Sequence, residues 1–197
     1  MPLSHEAARG VRWTSISMLL IAAIQIVRLI VLGRILGPEA FGLLAMILVV
    51  IGFTELLNQM GLSEAIIQKN SPTTTELSSL YWLNIMVGAF LYGLLLWIAP
   101  LIAGIYSSPI LEELLPYVAL TFIISPWGTQ FKTLLQKKLD FKPLSIIEII
   151  SALIGMLLAV ELALQGYEVW SLIYGQLAQS TATTLMLILL GWQRKLL

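Results

Sequence analysis

The stretch "IQIVRLIVLGRILGPEAFG", residues 24–42, decides the fold. Residues 24–36 are apolar or glycine apart from Gln25, Arg28 and Arg34, and the segment from Trp13 to Ala23 is also mostly apolar. Together they exceed the ~20 residues a helix needs to cross a ~30 Å hydrocarbon core. Gly37 and Pro38 close this helix and open the next, with Glu39 in the first turn of the second. A cation at the depth of Arg28 is costly. Such a residue faces protein or a water-filled cavity more often than lipid.

Hydrophobic residue types make up 58% of the 197 residues and charged types 11%. A soluble domain carries about a quarter charged residues, so the composition indicates a membrane protein. A formal net charge of zero argues against a nucleic-acid partner. Without cysteine there is no disulfide framework, thiolate nucleophile or Cys-ligated metal. The lone histidine, His5, precedes the first apolar run. The start, "MPLSHEAARGVRW", lacks a short apolar core followed by a small-residue cleavage site, and the first long run is expected to be retained as a span.

Six segments are long and apolar enough to span, roughly 13–36, 40–62, 77–101, 113–134, 144–165 and 169–192. Their apolar runs are continuous and not alternating, which favours helices over barrel strands. The connections carry helix punctuation: Thr73 and Glu76 at capping-box spacing, Pro109 before Glu112 and Glu113, Pro143 at the start of the fifth segment and Gly166 after it. All are short, so successive helices run antiparallel. Pro116 and Pro126 lie inside the fourth segment, where "ISPWG" is expected to kink or break it, either for packing or as a hinge.

With the N-terminus in the cytoplasm, Arg9, Arg12, Lys69, Lys132, Lys137, Lys138, Lys142, Arg194 and Lys195 fall on the cytoplasmic side. They are nine of the eleven basic residues. This is the asymmetry of the positive-inside rule and places both termini in the cytoplasm. Trp13, Trp82, Trp97, Trp170 and Trp192 sit near helix ends, as interfacial belt residues do. The cluster in "KTLLQKKLDFK" reads as a topology determinant touching anionic headgroups, or as an attractor for a pyrophosphate-bearing lipid.

Thr14, Ser17, Gln25 and Arg28 fall within an arc of about 80° on the first helix. Gln176, Gln179, Ser180 and Thr183 form a similar stripe, about 100° wide, on the sixth. The second helix carries Glu55, Asn58 and Gln59, the third Asn84, and the fifth Glu148 and Glu161. At about 1.5 Å per residue, Glu161 lies nearer the depth of Arg28 than Glu55 does, which makes it the better expected partner. The polar groups either glue helices together or line a cavity. Arg28, with no acid three or four residues away, is a poor glue residue and a good ligand for a passing anion. The candidate substrate-binding, cavity-lining residues are Arg28, Gln25, Ser17, Glu55, Asn58, Gln176, Gln179 and Glu161.

No H-E-x-x-H, G-x-S-x-G or phosphate-cradling glycine loop is present, and no span contains histidine. The chain is therefore not expected to be an enzyme or to hold a cofactor or metal. Gly33 and Gly37 have the G-x-x-x-G spacing, which makes close helix packing feasible.

Three segments carry a family likeness: "GVRWTSISMLLIAAIQIVRLIVLGRILGPEAFGLLAM" (10–46), "TELLNQMGLSEAIIQKN" (54–70) and "LLQKKLDFKPLSIIEII" (134–150). They resemble the N-terminal half of bacterial polysaccharide-biosynthesis flippases, the Wzx-like O-antigen and colanic-acid exporters. These belong to the multidrug/oligosaccharidyl-lipid/polysaccharide exporter superfamily. The resemblance implies an all-α integral membrane protein whose six transmembrane helices form one lobe of a two-lobe, alternating-access fold in the bacterial inner membrane. The implied function is flipping of an undecaprenyl-pyrophosphate-linked oligosaccharide for surface polysaccharide, including lipopolysaccharide, with Arg28 in place to meet the pyrophosphate. Members have a second set of spans, whereas this chain ends after the sixth, at "LGWQRKLL"; relative to the family it reads as a truncated single lobe. Membrane lipid, the lipid-linked oligosaccharide, a second lobe and glycan-assembly proteins are the expected partners. The alternatives are a multidrug-type cation-coupled antiporter lobe using Glu55 or Glu161, and a non-transporting scaffold of a glycan-assembly complex.

Overall fold

The computed structural model describes residues 2–59 and 74–194, with side chains over 13–52 and 75–194. Seven helices are described: α1 (Pro2–Ile35), α2 (Pro38–Gln59), α3 (Thr74–Ile105), α4 (Ile110–Ile124), α5 (Pro126–Lys137), α6 (Phe141–Leu164) and α7 (Glu168–Gln193). There is no strand among the described residues. Thr73 of the expected capping box lies outside them.

The punctuation acts much as its chemistry dictates. Gly37 and Pro38 separate α1 from α2, and Pro143 sits in the first turn of α6, where its missing N–H costs nothing. Three helices end on one device. The residue after the last turn takes a left-handed conformation, and the following N–H reaches back five residues to a carbonyl. At the end of α6 that residue is Gly166 (φ 85°), and Tyr167 N donates to Leu162 O at 3.1 Å. Ser107 (φ 50°) and Leu139 (φ 55°) do the same for α3 and α5. Ser108 N then reaches Ala103 O, and Asp140 N reaches Leu135 O, each at 3.0 Å.

The fourth apolar segment is two helices. α4 ends at Ile124 and α5 begins at Pro126, with their axes bent by 45°. Proline has no N–H to donate to Phe122 O, so one rung of the ladder is lost at the bend. The Ser125 hydroxyl shares a 3.0 Å hydrogen bond with Ser180 of α7 across it.

α7 is the central element. It packs most extensively on α6 and also touches α4, α5 and α2, while α1 lies along α6 and α3 along α4. One apolar core at the Gly37 end joins α1, α2, α3, α4, α6 and α7 through residues such as Leu32, Ile47, Leu114, Ala159 and Ile173. A second, at the lysine-rich end, joins α5, α6 and α7 through Phe131, Leu144 and Leu187. By length and apolar composition, four described helices suffice to cross a membrane: α1 over Trp13–Ile35, α3 over Thr75–Ile105, α6 and α7. The bent α4–α5 pair makes five. Large apolar side chains such as Met18, Leu19, Ile26, Leu29 and Ile30 stand exposed on α1. A water-soluble surface rarely shows so continuous a patch. The chain is an all-α, multi-pass membrane protein.

Candidate functional site

A cavity of about 440 Å³ opens between α1, α2, α4 and α7. Gln25 and Arg28 reach it from α1 and Gln176 from α7. Its remaining wall is apolar, mainly Leu29, Leu32, Phe41, Leu44, Ile47, Leu48, Val118 and Ile173. Arg28 stands about 22 Å along the helix from Trp13 and about 10 Å from Ile35, well inside the apolar span.

The half-buried Arg28 guanidinium donates from Nη2 to the backbone carbonyl of Leu172 at 3.1 Å. No carboxylate pairs with it among the described residues. A guanidinium has five N–H donors and no acceptor, so this one bond leaves donors free toward the cavity. With two amides beside it, the wall offers a fixed cation and neutral hydrogen-bonding groups on an apolar floor.

The expected polar stripes divide between two roles. On α1, Gln25 and Arg28 line the cavity. Ser17 does not: it is buried, donates to Thr14 O at 2.9 Å and accepts from Ser145 of α6 at 3.1 Å, which fastens α1 to α6. On α7, Gln176 lines the cavity, whereas the stem of Gln179 packs on Gly155 of α6 and Ser180 meets Ser125 at the bend. The expected pairing of Arg28 with Glu161 is not made. Glu161 is exposed and its near contact is Gln165 Nε2 at 3.5 Å. Its depth matches but its azimuth does not, because it lies about 200° round α6 from the buried Ala159 that faces the core. Glu55 and Asn58 fall on α2, and their side chains lie outside the described residues. Glu148 pairs instead with Lys132 at 2.8 Å, and Asp140 with Arg194, both toward the lysine-rich end. No group of three His, Asp or Glu side chains placed to hold a metal occurs among the described residues.

Two features escape the polar pattern. Among the described residues, the α2 and α4 walls are apolar and carry no signal separable from lipid-facing or core residues. A close contact between α6 and α7 lies at Gly155 and Gly175, whereas a methyl added at Gly37 would meet no described atom within 4 Å and one at Gly33 would lie 3.9 Å from the Phe41 ring. The run Ser151, Gly155, Ala159 and Ala163, at four-residue spacing on α6, is the legible sign of that contact.

The fold and cavity thus define a helical, multi-pass membrane protein with a cationic, amide-flanked cleft inside its apolar layer. The chain belongs to the polysaccharide biosynthesis protein family, whose pattern matches residues 31–196. It is 36% identical over 191 residues to an uncharacterized membrane protein in the cps region of Klebsiella pneumoniae, covering 97% of this chain and 39% of that one. It is 32% identical over 186 residues to the lipopolysaccharide biosynthesis protein WzxC of Escherichia coli K12, covering 94% and 38%. It is 41% identical over 149 residues to the teichuronic acid biosynthesis protein TuaB of Bacillus subtilis 168, covering 76% and 31%. The chain therefore spans less than two fifths of the length of these curated relatives. No solved structure matches it.

Proposed function

We propose that this chain forms one six-span lobe of a flippase that exports a lipid-linked oligosaccharide, of the undecaprenyl-pyrophosphate type, for surface polysaccharide. The observation that carries the proposal is the Arg28 guanidinium, without a carboxylate partner among the described residues, in a cleft it shares with Gln25 and Gln176 within the apolar layer. A charge-assisted bond to a phosphate oxygen is stronger than one to a neutral carbonyl. An arriving pyrophosphate therefore engages the remaining donors of the guanidinium while Nη2 stays on Leu172 O. The amides then meet sugar hydroxyls, and the polyprenyl tail stays in lipid, where it needs no polar wall.

In this reading the protein lies in the bacterial inner membrane with both termini cytoplasmic, its lysine-rich end facing the leaflet where lipid-linked sugars are made. A second lobe closes the cavity and takes part in alternating access. The names of WzxC and TuaB, both biosynthesis proteins of surface polymers, support this substrate class. Glu161, exposed outside the cleft, lends no support to a cation-coupled antiporter.

The test is complementation of a strain that has lost its own exporter, with this lobe carried in a two-lobe exporter. Arg28→Ala is expected to abolish surface polysaccharide and Arg28→Lys to retain part of it, since a point charge replaces the bidentate fork. Wild-type export by both variants removes Arg28 from the pathway.

A further inference from the structure

Arg28 bridges two helices whose backbones hardly approach each other. α1 packs along α6, α6 packs on α7, and direct backbone proximity between α1 and α7 is minimal. The reach of Arg28 to Leu172 O is therefore set indirectly, by how closely α6 lies on α7. That spacing is fixed where both helices lack side chains. A methyl added at Gly155 would lie 2.7 Å from Gly175 O and 2.7 Å from Gln179 Cβ. A methyl added at Gly175 would lie 2.6 Å from Ala159 Cβ, 2.8 Å from Gly155 O and 3.2 Å from Arg28 Nη2. Backbones thus touch where packed helices ordinarily stand about 8–10 Å apart. The contact lies on α7 one turn from Leu172, the residue that accepts from Arg28.

We propose that the Gly155–Gly175 contact is a positioning element for Arg28. It sets the distance of α1 from α7, and so seats the guanidinium on α7 at the edge of the cleft. What the seated cation meets rests on the function proposed above; the seating itself does not.

The test uses the full chain in lipid nanodiscs with two readouts. One is the side-chain ¹⁵N spectrum of the Arg28 guanidinium, assigned by its loss in R28K. The other is titration with inorganic pyrophosphate. In the wild type the guanidinium is expected to rotate slowly and give separate Nη signals. G155A and G175A are expected to average those signals and weaken pyrophosphate binding about tenfold, because the cation is no longer preorganised. G191A places a methyl 2.1 Å from the Phe131 ring, in the second core and away from Arg28. It is expected to lower stability while leaving both readouts at wild type. If G175A does not fold, pairing it with A159G relieves the 2.6 Å contact and leaves the 2.8 Å approach to Gly155 O to separate α6 from α7. The proposal is overturned if G155A and G175A keep the wild-type guanidinium spectrum, or if G191A changes that spectrum equally. A wild type that shows slow rotation but binds no pyrophosphate removes the anion role alone, and the spectra then decide the positioning by themselves.

Discussion

Arg28 and Ser17 share one polar stripe on α1, yet the fold gives them different neighbours. Ser17 is enclosed by Thr14 and Ser145, whereas Arg28 finds a backbone carbonyl and an open cleft. The wheel projection makes the stripe legible but not its division, because where α6 crosses α1 depends on contacts elsewhere in the bundle. Interhelical hydrogen bonds in membrane proteins contribute about 0.6 kcal/mol on average. Ser17→Ala is expected to cost about that much in an unfolding titration in mixed micelles, with polysaccharide export unchanged. Lost export at wild-type stability would return Ser17 to the proposed transport path. Glu161 carries the same lesson in reverse. Its depth along α6 could be counted from the sequence, but its direction required the packing of Ala159 against the core.

At the scale of elements, the bend between α4 and α5 was legible in "ISPWG", because proline removes a donor whatever surrounds it. Ser107 and Leu139 ended their helices without such a signal. A left-handed serine or leucine is uncommon, and here it follows from the chain having to turn into the next helix. The α6–α7 crossing lies between these cases, since its four-residue small-side-chain spacing is written in the sequence but fits many membrane helices. The missing Pro126 donor and the Ser125–Ser180 bond to α7 both support the bend. α3 also presses in at Gly88, where a methyl would lie 2.1 Å from Phe122 O. If the missing donor dominates, Pro126→Ala restores the rung and straightens the pair. Nitroxides at exposed positions 110 and 138 should then move apart by about 3 Å in a double electron–electron resonance measurement. An unchanged distance would assign the bend to tertiary packing.

At the scale of the whole molecule, composition and run length made the all-α membrane class legible before any helix was placed. Burial could not be inferred in the same way, because core, cleft wall and lipid-facing surface draw on the same leucine, isoleucine and valine. Only the polar intruders separate them. Of these, Gln25, Arg28 and Gln176, taken from helices at opposite ends of the chain, converge on one cleft. This cleft is expected to be wet although it lies within the apolar layer. The native chain has no cysteine, so single cysteines report cleanly. In nanodiscs, Gln25→Cys and Gln176→Cys are expected to react with a charged, water-soluble maleimide and to be slowed by pyrophosphate. Leu19→Cys, on the exposed apolar face of α1, is expected to remain inert. If positions 25 and 176 prove as unreactive as position 19, the cleft is dry and the account of Arg28 as an anion ligand is contradicted.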